Sequence, residues 1–309
     1  MHRDTIEAIT RSAAIPSMPL VATRCFEMTQ DPLCSFDKLV ELLSTDPGIA
    51  AEILRLANSA MFGVARQVES LKQAIALLGL SRVRDLVLMR YMVQSLNRAK
   101  TDPIDITYYW RRSLTTAVVS SRLASATTSR KREEIFIGGL LADVGVVILT
   151  QALPSKYEPI ASQYRPLGGD MWMNSESAVM EVTHGEVSAM VLESWSLPAL
   201  LVDAVRHHHG PYDALPADSP ARDVARMIGA AGAIAACLCE AQDPARAATR
   251  CIDAMSPVGL DPAVLSEMLP NVQNDVESLA ETLKLDVIPS RTYRLIAEQI
   301  ARKLLAPAT

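Results

Sequence analysis

The 309-residue chain has too little cysteine for a disulfide framework: there are five, an odd number, scattered from Cys25 to Cys251. A reducing cytoplasm is therefore the expected compartment. Positive charge is in deficit, with 30 lysines and arginines against 35 aspartates and glutamates and a net charge of −5. This argues against holding nucleic acid by a general electrostatic field. The basic run Arg130, Lys131, Arg132 is offset by Glu133 and Glu134 and reads as a solvated helix start. Uninterrupted apolar runs of about 18 residues, the length of a membrane span, are absent. The longest, "VGVVIL", covers only Val144–Leu149, and the opening "MHRDTIEAITRS" lacks the apolar core of a signal peptide. No membrane association is expected. No serine stands in a nucleophile elbow and no glycine-rich phosphate loop occurs.

What is there instead is helix. Glycines number only 13, alanine and leucine are abundant, and apolar residues recur at spacings of three and four. The pattern predicts an all-α fold. "PSMP" at 16–19 ends a first helix, and a second runs from about Leu20 to Gln30. In "STDPGIAAEILRLANSAMFG", Asp46 is a natural N-cap and Pro47 fits the first turn. Ile49, Ile53, Leu54 and Leu56 form its apolar face, and Gly63 closes the segment. Gly79 divides the next stretch into two helices, with Ser81 capping the second. A long helix is expected from about Ile106 to Ala126, then one continuous helix through "REEIFIGGLLADVGVVIL", and a looser stretch to Gly169. Further helices follow around Ser175–Thr183, Gly185–Trp195 and Pro198–His208.

The Pro/Gly/Asp-rich "HHHGPYDALPADSPA" marks a boundary, beyond which three more helical stretches lie. Three parts are expected: an amino-terminal helical bundle (1–100), a central helical part (101–215) and a carboxy-terminal helical extension (216–309). "GAAGAIAA" follows no strand and reads as a tight packing face, and Cys237 and Cys239, about 200° apart on one helix, as buried helix cysteines rather than ligands.

The residues that could carry chemistry are Asp143, His184, His207, His208 and His209, which include four of the five histidines. Helical phosphohydrolases hold divalent metals on histidines and aspartates from several helices, so that metal-bound water becomes a nucleophile near neutral pH. The bland alternatives stand beside this. Asp143 can pair with Arg112, His184 can cap its helix or hydrogen-bond in the core, and His208 and His209 can decorate an exposed helix end. Successive helical residues point about 100° apart, so His208 and His209 share one ion only if the helix has ended there.

From about Ile15 to Tyr212 the chain resembles the HDOD (HD-related output domain) family, relatives of the HD and HD-GYP metal-dependent phosphohydrolases. The resemblance rests on "IPSMPLVATRCFEM", "LLSTDPGIAAEILRLANSAMFG", "SLKQAIALLGLSRVRDLVL", "WRRSLTTAV", "FIGGLLADVG", "ESAVMEVTHGEVSAMVLESWSLP" and "AVRHHHGP". Within these motifs stand Asp46, Pro47, Asn58, Ser59, Trp110, Glu176 and Trp195; the two tryptophans read equally as core packing. The resemblance implies an HD-like helical bundle with two ligands missing. Arg112 stands where a catalytic member has its first histidine, and Ala142 replaces the histidine of the adjacent His-Asp pair. Arginine has no acceptor lone pair and alanine no donor atom. Asp143, His184, His208 and His209 survive, and "GPYDALP" departs from the glycine-tyrosine-proline signature.

The expectation is a non-enzymatic bacterial signalling module acting on a protein partner, with no cofactor. Were a metal bound, Asp143, His184, His208 and His209 would hold it. The alternatives are a residual metal-dependent phosphohydrolase acting on a nucleotide or cyclic dinucleotide, and a nucleotide or anion sensor without turnover that uses Arg112 and the histidines.

Overall fold

The computed structural model describes residues 2–12, 14–31, 33–58, 67–97, 104–127, 132–161, 164, 172–240, 243–285 and 292–305. Among them the regular structure is helical and no strand occurs. The chain divides into two compact units: a larger one of Met1–Ile15, Lys100–Val276 and Val287–Thr309, and a smaller one of Pro16–Ala99 and Glu277–Asp286. Helix α1 (His2–Arg11) belongs to the larger.

The smaller unit is built on α2 (Leu20–Gln30), α3 (Phe36–Ser44), α4 (Pro47–Ala57), α5 (Leu71–Leu78) and α6 (Leu80–Asn97). Asp46 caps α4 by accepting hydrogen bonds from the Gly48 and Ile49 amides at 2.9 and 3.1 Å, while Pro47 sits where a missing N–H costs nothing. The Tyr91 hydroxyl donates to the other Asp46 oxygen. Ile49, Ile53 and Leu56 are buried, and Glu52 on the same helix is paired with Arg90. Helix α4 ends at Ala57. Asn58 terminates it by donating to the Leu54 and Val68 carbonyls and accepting from the Val68 amide. Ser59 and Gly63 lie outside the described residues, as do Arg130 and Lys131. Gly79, at φ 82°, separates α5 from α6 as expected. Helical geometry resumes at Leu80, so Ser81 lies inside α6 and is not its cap. Helix α3 was not anticipated.

In the larger unit α7 (Ile106–Ser125) is capped by Asp105 and buried on nearly every side. It packs against α8 (Arg132–Leu141) and α14 (Pro220–Glu240). The single helix expected through "GLLADV" is two, α8 and α9 (Val144–Ala152), broken at Ala142–Asp143. The break is held from a neighbouring helix: the Ser188 hydroxyl accepts from the Gly145 amide at 2.8 Å and donates to the Ala142 carbonyl at 2.7 Å. Both backbone groups are satisfied without the helical ladder. Gly145 is required there, since a Cβ would collide with the His184 carbonyl. The stretch expected to be loose contains α10 (Pro154–Ala161).

The chain continues through α11 (Trp172–Met180), α12 (His184–Ser194), α13 (Ala199–Arg206), α14 (Pro220–Glu240), α15 (Pro244–Ala254), α16 (Ala263–Leu283) and α17 (Thr292–Leu305). Helix α15 was likewise not anticipated. Helices α14, α15 and α17 pack together, and α17 is tied to α7 by Tyr293 and Thr115, whose hydroxyls lie 3.1 Å apart. Trp110 and Trp195 are buried, the first edge-on to Tyr109. All five cysteines are free thiols. By composition Ile135–Ala152 is long and apolar enough to cross a membrane, but 83% of it is buried inside the protein and Asp143 interrupts it.

Candidate functional site

The helix break presents Asp143 to the core of the larger unit. Its carboxylate is split between two environments. Oδ2 accepts from Arg112 Nε at 3.1 Å and faces the Tyr164 hydroxyl at 3.4 Å. Oδ1 faces His184 Nε2 at 3.7 Å and His208 Nε2 at 3.5 Å. The Arg112 guanidinium lies over the Tyr164 ring, 5.5 Å from its centroid, and Tyr108, one helical turn before Arg112, packs edge-on to Tyr164.

Each histidine is fixed through its other nitrogen. Thr183, not His184, caps α12, in a capping box with Glu186. His184 instead occupies the first helical position, fully buried. Its backbone amide and its Nδ1 both lie on Glu176 Oε2, at 2.7 and 2.8 Å. The other Glu176 oxygen accepts from the Tyr157 hydroxyl at 2.8 Å, and Glu176 too is fully buried.

Helix α13 stops at Arg206, earlier than expected, so His207, His208 and His209 lie in a turn rather than on a helix. That ending lets His208 and His209 face one point, with ring centroids 3.9 Å apart. His208 is 2% exposed, which overturns the reading of an exposed helix end, and its Nδ1 lies 2.6 Å from the Val205 carbonyl. Gly229 of α14 allows this turn to approach, since a side chain there would strike the His208 carbonyl. His207 caps α13 and stays outside the cluster.

The structure thus brings together Asp143, His184, His208 and His209, with donor atoms all within 4.8 Å of one another. Burial opposes the charge on Asp143, but the Arg112 guanidinium, with smaller help from His208 and His184, holds its carboxyl far below the usual carboxylate range. Burial pushes His208 down, partly offset by its contact with Asp143; burial, then His208 and His184, push His209 well down. Neutral imidazoles beside an ionised carboxylate are the donor set that divalent transition metals take.

An ion about 2.0–2.2 Å from each donor separates tetrahedral co-ligands by roughly 3.3–3.6 Å. The 3.5 and 3.7 Å separations around Asp143 Oδ1 lie close to that range, while the four donors as a set are within 4.8 Å of one another. A second ion does not fit. Its place beside Asp143 Oδ2 is taken by Arg112, a permanent cation, and Ala142 offers no donor. Tyr157, Tyr164 and Ser188 were missed in the sequence. Only Ser188 carried a signal there, lying one turn after His184 on the same helix face.

A helical core with an aspartate and three histidines gathered at a helix break is the arrangement of an HD-related domain. The HDOD domain profile matches residues 15–211, well over half of the chain, and the chain belongs to the HDOD family. A protein of Treponema pallidum (strain Nichols), itself uncharacterized, is 25% identical over 199 residues, covering 63% of this chain and 37% of the relative. The chain thus spans little more than a third of that relative's length.

Two solved structures share the fold. An HDOD domain protein with unknown function from Geobacter sulfurreducens superposes with a TM-score of 0.68 at 20% identity, over 86% of this chain and 93% of its own. A candidate phosphohydrolase from Shewanella amazonensis SB2B gives 0.66 at 20% identity, over 95% and 98%.

Proposed function

We propose that the chain is a regulatory module that acts by recognising a protein partner on an HD-type core that no longer hydrolyses phosphoesters. The Arg112–Asp143 contact carries this reading. Asp143 is the surviving carboxylate of the cluster, and one of its two oxygens is bonded to a guanidinium at 3.1 Å. The Arg112 and Asp143 side chains are also nearly buried, 5% and 9% exposed. A phosphoester would have to displace a buried ion pair before meeting any metal-bound water.

The same contact weighs against an anion sensor built on Arg112, whose charge is already engaged. A residual phosphohydrolase is favoured by one observation, the convergence of four donors. Phosphodiesterase assays on bis(p-nitrophenyl) phosphate and on cyclic dinucleotides, with manganese, iron, nickel or magnesium, separate the readings. No turnover above a metal blank is expected. Turnover that disappears in Asp143→Ala overturns the proposal.

A further inference from the structure

Helix α17 turns one stripe inward and leaves the opposite one uncovered. Tyr293, Ile296, Ala297 and Ile300 recur at spacings of three and four and are buried, where the helix packs against α15 and α14. On the solvent side stand Leu295, Glu298, Arg302 and Leu305, all exposed, the two leucines by 50% and 85%. At about 100° per residue these four fall within a sector of about 80°. A single exposed leucine is ordinary on a protein surface. The order of the four is not: it runs apolar, acidic, basic, apolar, evenly spaced about the level of Ile300. Along the axis Leu295 and Leu305 are about 15 Å apart, and Glu298 and Arg302 about 6 Å apart.

We propose that this face of α17 is the seat of a second copy of the chain, docked antiparallel about a two-fold axis at the level of Ile300. Turning a copy end for end about that level sets Glu298 of each chain against Arg302 of the other, and each Leu295 beside the other's Leu305. One patch then meets itself, the isologous arrangement that closes a dimer. A parallel arrangement would set acid against acid and base against base, so charge selects the antiparallel one. Among the described residues neither Glu298 nor Arg302 makes an ion pair within the chain, which leaves both charges to the partner. One helix pair covers little surface, which places the dimer among weak, concentration-dependent associations. The inference goes beyond the regulatory reading and is independent of it, because none of the four residues belongs to the cluster around Asp143.

The test is sedimentation velocity of the full chain at rising micromolar concentration, and a monomer–dimer equilibrium is expected. Glu298→Arg and Arg302→Glu each turn two attractions into two repulsions and are expected to weaken dimerisation by about tenfold. Mixing the two variants in equal amounts is expected to restore the dimer, since a chain with two basic positions then meets a chain with two acidic ones. Such rescue cannot come from misfolded chains. Leu305→Asp is expected to abolish association, whereas Leu33→Asp, at an 89% exposed leucine of the smaller unit, is expected to leave it intact. A wild-type chain that stays monomeric overturns the proposal, as does a dimer untouched by Glu298→Arg or a mixture that associates no better than either variant alone. A monomer leaves the regulatory reading standing, whereas hydrolysis of phosphoesters by the chain ends that reading and leaves the dimer.

Discussion

Arg112 and Asp143 are joined by one hydrogen bond, Nε to Oδ2 at 3.1 Å, in a setting where both side chains are almost fully removed from water. The pair matches charge for charge, with Tyr164 beside it and His184 and His208 facing the other Asp143 oxygen. This makes it weak as a source of stability and costly to break from one side.

Replacing Arg112 alone, as Arg112→Met, strands an ionised carboxylate in the core and is expected to destabilise the metal-free chain by about 3–5 kcal/mol. Adding Asp143→Asn removes the stranded charge. The double variant is expected to be more stable than Arg112→Met, and urea unfolding of both at neutral pH measures the difference. Additive losses would mean the two side chains do not interact.

The titratable groups of the site set a direction for pH dependence. Asp143 titrates lower in the folded chain than in the unfolded one. Its contribution to stability is thus present above the unfolded carboxylate value of about 3.9 and is lost as pH falls below it. His208 and His209 also titrate lower when folded. The unfolded chain takes up protons on them below about pH 6.5 while the folded chain does not, so stability declines from there downward. Denaturation midpoints of the metal-free chain are expected to fall between pH 8 and 5. A His208→Asn/His209→Gln variant is expected to show a flatter profile, and an equally steep one would assign the fall to other groups.

Two glycines should differ in what a methyl group costs. At Gly145 the added Cβ meets the His184 carbonyl and backbone of α12, which cannot move aside without shifting a helix. At Gly48 it meets the guanidinium end of Arg90 and the Asp46 carboxylate, side-chain ends rather than backbone. Gly145→Ala is expected to lower the unfolding temperature far more than Gly48→Ala.

Ser188 lies one turn beyond His184 and serves the helix break from both sides. Ser188→Ala leaves the Gly145 amide and the Ala142 carbonyl without their partner in a buried setting. The expected loss is about 2–6 kcal/mol by chemical denaturation, from about 1–3 kcal/mol for each of the two stranded groups. Ser188→Thr retains the hydroxyl and is expected to keep part of it.

The helical class was legible because scarcity of glycine and a three-and-four apolar spacing leave a strand no place to form. Capped starts were legible too: Asp46–Pro47 begins α4, and α2 spans the range expected of it. Two site elements were misjudged in kind: α10, which carries Tyr157 and was expected to be loose, and the "GLLADV" helix. Local periodicity there favours continuity, and the break is imposed by Ser188 and the His184 carbonyl, 43 and 39 positions further on, which no local pattern encodes. The same holds for Tyr157 and Tyr164, which reach Glu176 and Asp143 only through tertiary packing. The histidines were found because the chain has only five, and Asp143 because it interrupts an apolar stretch, but their convergence depended on α13 ending at Arg206.

Helix α12 carries, one turn apart, a donor of the centre and the hydroxyl that bridges the α8–α9 joint. A helix moves as a rigid rod over so short a span, so any push on α12 is transmitted at once to the pocket through His184 and to the joint through Ser188. The centre and the bend in the chain are therefore one mechanical element: a force that reaches either of them is felt at both.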